Sequence, residues 1–417
     1  VVPARDRDRS AVAAWAAVAA VGIVVGGALC ARHFAFHTNA APFHGYWELD
    51  INAGALLPIA FAAAVVAFGP LIADRLAWRG LLAAAAAGAL GWSVALAVTV
   101  GGHGLTAPLT GSDEYLAGVR LVDGHFLRTF TDALVRYPVH VKGHPPGLVL
   151  VLWALDRIGL GGTGWAAILI VVAAASAVPA VLLTVRAVAD ETAARRLAPF
   201  LVLTPAAVWM ATSGDAFFTG VGAWAVWATV AATRRRHAVI AGLLWAGVLL
   251  LSYGLVLLAP VAIGVVWCRR IDILLLTGLV SVATLLAVGV GTGFWWPAGL
   301  AATRRAYLGG YAPGRAAWVF VWLNLAALAI ALGPAVAPAL RRLRATAPSL
   351  LVGGALVGLA VADLSLLAKG EVERIWLPWT PWVLVATVAL PLVARRRWLA
   401  AQAATGIAVQ LALRSPW

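Results

Sequence analysis

Apolar runs of membrane length, joined by short polar turns, make up most of this chain. At 1.5 Å per residue a run of about 20 residues crosses the hydrocarbon core of a bilayer. The runs do not alternate as the strands of a barrel would, so they predict helices. Spans are expected near 11–31, 51–72, 80–101, 164–186, 197–212, 216–233, 238–251, 254–267, 271–291, 316–338, 348–367, 375–393 and 398–413. The predicted architecture is an all-α, polytopic membrane helix bundle of about 13 spans, forming one integral membrane domain over 1–417. A long polar loop, 102–147, and a second one, 292–315, interrupt the series. Leu148–Gly159 is apolar but short; a crossing there would move Arg186–Arg196 outside, and the segment reads as a helix at the interface or dipping into the outer leaflet. Residues 238–267 must hold two short passes that meet at Ser252-Tyr253-Gly254. The first run follows Arg5, Arg7 and Arg9 with no clear cleavage site after it, which predicts a retained helix. No internal repeat is evident.

Composition agrees with this reading. The chain is 63% hydrophobic and 12% charged, more apolar than a soluble protein of its length could keep from water. The net charge of +14 invites a nucleic-acid partner, but the arginines form no patch. They fall in clusters on alternate short loops: Arg75 and Arg79; Arg186, Arg195 and Arg196; Arg234–Arg236; Arg269 and Arg270; Arg341, Arg342 and Arg344; Arg395–Arg397. That is the positive-inside pattern. It predicts a multi-pass protein of the cell membrane with a cytoplasmic N-terminus and loop 102–147 outside. The Ala, Val and Arg content suits a GC-rich bacterium. On this topology every histidine except His237, and both lysines, lie outside. Cys30 and Cys268 fall at opposite sides, so no disulfide is expected, and a metal site would need more ligands.

Candidate chemistry therefore gathers on the outer face. Asp113-Glu114 opens the polar part of loop 102–147. Such a pair can supply a general base or hold a divalent cation such as Mg or Mn, and it can equally start a helix as a solvated cap. On a helix, neighbours point about 100° apart, so only one of the two would face a cleft. His140-x-Lys142-x-His144-Pro145-Pro146 follows, as an anionic-lipid contact, an interfacial anchor or a weak zinc candidate. Asp215 reads as a second acid or as a helix cap. Lys369-Gly-Glu371-Val-Glu373-Arg374 is either a phosphate-binding cluster oriented by its acids or a self-neutralising hairpin tip. Asp363, on an apolar helix, should face the interior and pair with a base. Arg304, Arg305 and Arg315 lie on the second outer loop, as a cover or an acceptor site.

Taken together, Asp113-Glu114, His144-Pro145-Pro146, Asp215 and Glu371-Val-Glu373-Arg374 resemble the C-type fold glycosyltransferases. The protein mannosyltransferase and aminoarabinose transferase branch is the nearest in pattern. The resemblance covers about 100–390, and departs from the family in two additional early helices and in lacking a large soluble C-terminal domain. It implies transfer of a sugar from a polyprenyl-phosphate donor to an extracytoplasmic glycan, lipid or protein. Asp113 or Glu114 would be the base. Lys142, His144, Lys369 and Arg374 would bind the donor phosphate, with Asp215, Glu371 and Glu373 in support. No Rossmann or Walker loop is present, in keeping with a lipid-linked rather than a nucleotide-linked donor. The alternative class is a transporter or flippase, which would place polar groups at mid-membrane.

Overall fold

The computed structural model describes residues 4–32, 38–267, 269–310 and 312–417. Cys268 lies outside the described residues. The chain is an all-α bundle whose strands amount to two residues each, Tyr46–Trp47 and Leu413–Arg414. Among the described residues six helices are long and apolar enough to cross a membrane: Asp8–Arg32, Ala53–Arg75, Trp78–Val100, Thr163–Val188, Ile271–Thr292 and Ala347–Leu364. Counting two bent pairs as spans raises the number to eight. Six to eight spans are thus shown by length and composition, against about 13 expected, and several of the other apolar runs fold as shorter pieces. The run at 197–212 breaks into Glu191–Val202 and a 3-10 turn, Pro205–Trp209. Residues 238–267 form a 17-residue helix, Arg235–Leu251, then a 3-10 turn and Ala259–Val266. Gly147–Arg157 has 11 residues, about half what a crossing needs.

The long helices leave large apolar side chains exposed. On Ile271–Thr292, Leu275, Leu279, Val282, Leu286 and Val290 recur every three or four residues and are all more than half exposed. That spacing is one helix face, suited to acyl chains.

The bent pairs have local causes. Ala317–Leu332 turns by 91° into Val336–Arg342 at Gly333-Pro334. Breaking a helix inside the bundle leaves backbone groups without partners. Gln402, fully buried on Arg395–Ala412, satisfies them: its amide donates to the Leu332 carbonyl at 2.8 Å and accepts from the Ala335 N–H at 3.2 Å. Val372–Ala389 and Leu392–Ala412 meet at 118° around Leu390-Pro391.

The helices sort charge to two ends. At one end Arg195 donates to the carbonyls of Ala73 and Leu76, capping Leu56–Arg75, and pairs with Glu191 at 2.6 Å. Arg186 also pairs with Glu191 and lies 4.5 Å over Trp78; Arg395 reaches Asp74. Cations at helix C-termini complement the backbone dipole. From this end Glu191–Val202 and Pro205–Trp209 lead to Ser213, and Gly214–Val230 returns toward Arg234.

At the far end the two polar loops pack as one layer. Phe130 stacks on Tyr137 at 5.2 Å and meets Phe294 edge-on at 5.6 Å, joining 102–147 to 292–315. Thr303 donates to the Lys142 carbonyl at 2.9 Å across the same seam. Aromatic burial of this kind gives a loop a small core of its own.

Candidate active site at the polar end of the bundle

The site begins with the acid pair. Glu114 occupies the N-cap position of a short helix, Tyr115–Val119, yet its carboxylate makes no capping bond. It turns instead to His140, whose Nδ1 lies 3.6 Å away. Their two segments are also tied through the backbone: the His140 N–H donates to the Asp113 carbonyl at 3.0 Å. Asp113 itself points to solvent. Adjacent side chains diverge, and Glu114 is the one that faces inward.

Asp215 and Arg374 come together from opposite parts of the sequence. Ser213, not Asp215, caps the Gly214–Val230 helix, accepting from the Ala216 N–H. Asp215 is thereby left to bind Arg374 at 2.6 Å, with both side chains almost fully buried. A second carboxylate, Glu371, takes the other terminal nitrogen of Arg374 at 2.7 Å. The turn that permits this is tight: Glu371 itself has φ 61°, the left-handed region that side chains rarely adopt. Strain of that sort persists only where surrounding contacts impose it. Gly214 is required where it stands, because a Cβ there would come within 2.7 Å of the Tyr115 ring.

Three residues absent from the sequence-based set complete the cluster. The indole of Trp417 lies over the Arg374 guanidinium, 4.4 Å from its carbon, and stacks on the His44 ring at 5.4 Å and 15°. Its ring is 6.3 Å from that of His140. The His44 N–H donates to Glu373 Oε1 at 2.7 Å, which uses one oxygen of this buried acid. Tyr115 sits between His140 and His144, 6.0 and 5.8 Å from their rings. His44 and Trp417 are each more than 300 residues from one of their partners, and no local pattern marks them. The cluster thus holds Glu114, His140, His144, Asp215, Glu371, Glu373, Arg374, Tyr115, His44 and Trp417.

Burial sets the electrostatics. It pushes the Glu114 carboxyl up to about 7; Arg374 opposes this, while Asp215 and Asp113 add to it. Burial also lowers His140 well below its ordinary value, with Arg374 and His144 acting in the same direction. His144 is lowered by burial too, although Asp215 and its bond to the His140 carbonyl work against that. At Glu371 burial again favours the neutral acid, but Arg374, His44 and Arg315 outweigh it and hold the carboxyl at about 2. The cluster therefore sets Glu371, which stays ionised, beside Glu114, which is poised to exchange a proton near neutrality.

The remaining candidates are placed elsewhere. Lys369 donates its ammonium to the Ala312 and Arg315 carbonyls at 3.1 and 3.0 Å, and Arg315 donates back to the Lys369 carbonyl. Those bonds clasp the second outer loop to the hairpin. Lys142 is half-buried one turn from His140. Asp363 pairs with Asn324 at 2.8 Å rather than with a base; Asn324 also binds the Ala368 carbonyl and the Gly370 N–H. Among the described residues no three His, Cys, Asp or Glu side chains are arranged to hold a metal ion, so the Mg or Mn expectation finds no fitting ligand set here. No protein family, curated protein or solved structure matches the chain.

Proposed function

We propose that this protein is a membrane glycosyltransferase that moves a sugar from a polyprenyl-phosphate donor to a hydroxyl on an extracytoplasmic glycan, lipid or protein. The observation that carries the reading is Glu114: a buried carboxyl with a pKa near 7, aimed into a polar cluster at one end of an apolar bundle. A base working at neutral pH needs that environment. Glu114 takes the proton of the acceptor hydroxyl, the oxygen bonds to the anomeric carbon, and the carbon–oxygen bond to phosphate breaks. Phosphate is a good leaving group, so cations near it are the main further need. Arg374 is the cation nearest the acid, and its two terminal nitrogens are already engaged by Asp215 and Glu371. A donor phosphate would approach its Nε edge, where no protein acceptor lies. Lys142 and His144 are the other basic groups assigned to the phosphate; Lys369 acts by fixing the hairpin that carries Glu371 and Arg374. No step is routed through a metal.

The polar cluster sits where helices begin and end, not at their middles, which favours an enzyme of the membrane surface over a transporter. The sidedness follows from the arginines: the basic end cytoplasmic, the cluster extracytoplasmic. Purified protein in nanodiscs, given synthetic polyprenyl-phosphate mannose or arabinose and candidate acceptors, tests the reading. Transfer that depends on Glu114 supports it. Full activity in both Glu114→Gln and Asp113→Asn removes the acid pair and this assignment with it.

A further inference from the structure

The segment 413–417 reaches the site by a short ladder, with Leu413 buried in the core and Trp417 packed against it. Leu413 and Arg414 pair with Trp47 and Tyr46 in a two-residue antiparallel ladder, continued by the Glu48 and Asp50 N–H groups on the Ala412 and Leu411 carbonyls. Its one ion pair, Arg414 with Glu48, is 72% and 54% exposed, and water screens such a pair. Gly45 has φ 138° and lies so near the Arg414 carbonyl that a Cβ would meet it at 2.3 Å, so the segment depends on a glycine at its contact point. Beyond Pro416 the Trp417 indole enters the cluster, against Arg374, His44 and His140.

The closed arrangement leaves polar groups unmatched. Trp417 Nε1, Arg374 Nε, Glu373 Oε2 and Tyr115 Oη are buried and have no hydrogen-bond partner. All four belong to the same cluster. Buried polar groups are normally bonded, so unmatched donors and acceptors gathered in one cluster, two of them on the stacked Trp417 and Arg374, indicate a place built for a polar occupant. The indole covers the guanidinium face and satisfies none of them.

We propose that residues 413–417 form a strap over the site, and that the Trp417 indole stands where the phosphate and sugar head of the lipid donor binds. This rests on the glycosyltransferase reading. On opening, the Arg374 Nε–H would donate to a phosphate oxygen, while Tyr115 and Glu373 would meet sugar hydroxyls. The Trp417 N–H would pass to water. A donor then binds only the open fraction of molecules, and its apparent affinity scales with that fraction.

A reversible lock tests this. Tyr46→Cys with Arg414→Cys, in a chain with Cys30→Ser and Cys268→Ser, joins two residues that already face each other in the ladder. In nanodiscs, the oxidised protein should bind a synthetic polyprenyl-phosphate mannose at least about tenfold more slowly than the reduced one, and reductant should restore the rate. Trp417→Ala, unlocked, should bind faster than the parent. Equal rates in the oxidised and reduced forms would overturn the strap. Should neither form bind the lipid, the donor assignment fails, and hydrogen exchange decides the strap separately. The amides of 413–417 should exchange far faster than those of Arg395–Ala412, and faster again in Trp417→Ala. Protection equal to that of the helix would sink the proposal.

Discussion

The two ends of the bundle use the same chemistry, arginine against carboxylate, in opposite settings. At the arginine-rich end Asp74, paired with Arg395, is 56% exposed, and Glu191, shared by Arg186 and Arg195, is 36% exposed. At the other end Arg374 and Asp215 are 7% and 4% exposed. Exposed pairs are screened and exchangeable, and they serve to fix helix ends and to respond to membrane polarity. A buried pair must be complete, because losing one partner strands the other's charge in a poor solvent. The arginine-rich end therefore reads as support, and the far end as a place where burial has been used to set proton affinities.

Several measurements would break or sharpen this contrast. The largest effect is expected for Glu114→Gln, which should lower transfer by roughly 10²–10⁴-fold. Asp113→Asn, changing the neighbour that faces solvent, should stay within about threefold of the parent in the same initial-rate assay. An equal loss in both would show that the inward and outward acids are not distinct.

Next in size is the buried pair. Arg374→Ala leaves Asp215 and Glu371 facing each other without a cation, and should cost about 3–5 kcal/mol of stability by thermal unfolding in detergent. Arg186→Gln at the opposite end, where the pair with Glu191 is 43% and 36% exposed, should cost about 0–1 kcal/mol. Similar shifts in melting temperature would erase the difference between the ends.

The pH dependence is smaller but more specific. In the proposed mechanism the ionised Glu114 acts as the base, so transfer should rise with pH through about 7, and Asp113→Asn should keep that profile. The stability sign is the reverse. A carboxyl with a raised folded pKa binds its proton more tightly in the folded state. Its contribution is full below the ordinary value of 4.5 and is lost as pH rises through about 7. Glu114→Gln should reduce the slope of stability against pH in that window. Glu371, held at about 2, stays ionised throughout it, and its contribution is lost only as pH falls toward that value.

The last test need not change activity. His125→Cys and Thr192→Cys should be labelled by an impermeant reagent from opposite faces of the membrane. Label reaching both from one face would mean that Gly147–Arg157 crosses, despite its length.

Much of this architecture could be read from the chain. Runs of apolar residues marked the long helices, since only helices satisfy the backbone in lipid. The run expected at 197–212 is made of two pieces, Glu191–Val202 and Pro205–Trp209, because hydropathy measures how apolar a run is, not whether Thr204-Pro205 breaks it. The bend at Gly333-Pro334 needed Gln402, a residue from a distant helix, to be tolerable.

For the site, the sequence by itself determined which residues could carry chemistry: Glu114, Asp215, Glu371 and Arg374 stand out because charge is rare in so apolar a chain. The expectation that only one of Asp113 and Glu114 faces a cleft assumed a helix there, whereas both precede the helix Tyr115–Val119. Which one, and against what, was decided by tertiary structure alone. Glu114 meets His140 because two loop segments share a backbone bond, and Asp215 meets Arg374 because two helix ends converge. Trp417 and His44 join them through a two-stranded ladder that closes across most of the chain. Local pattern carries local geometry, whereas the proton affinity of a carboxyl depends on everything packed around it, and that packing exists only once the distant segments have met.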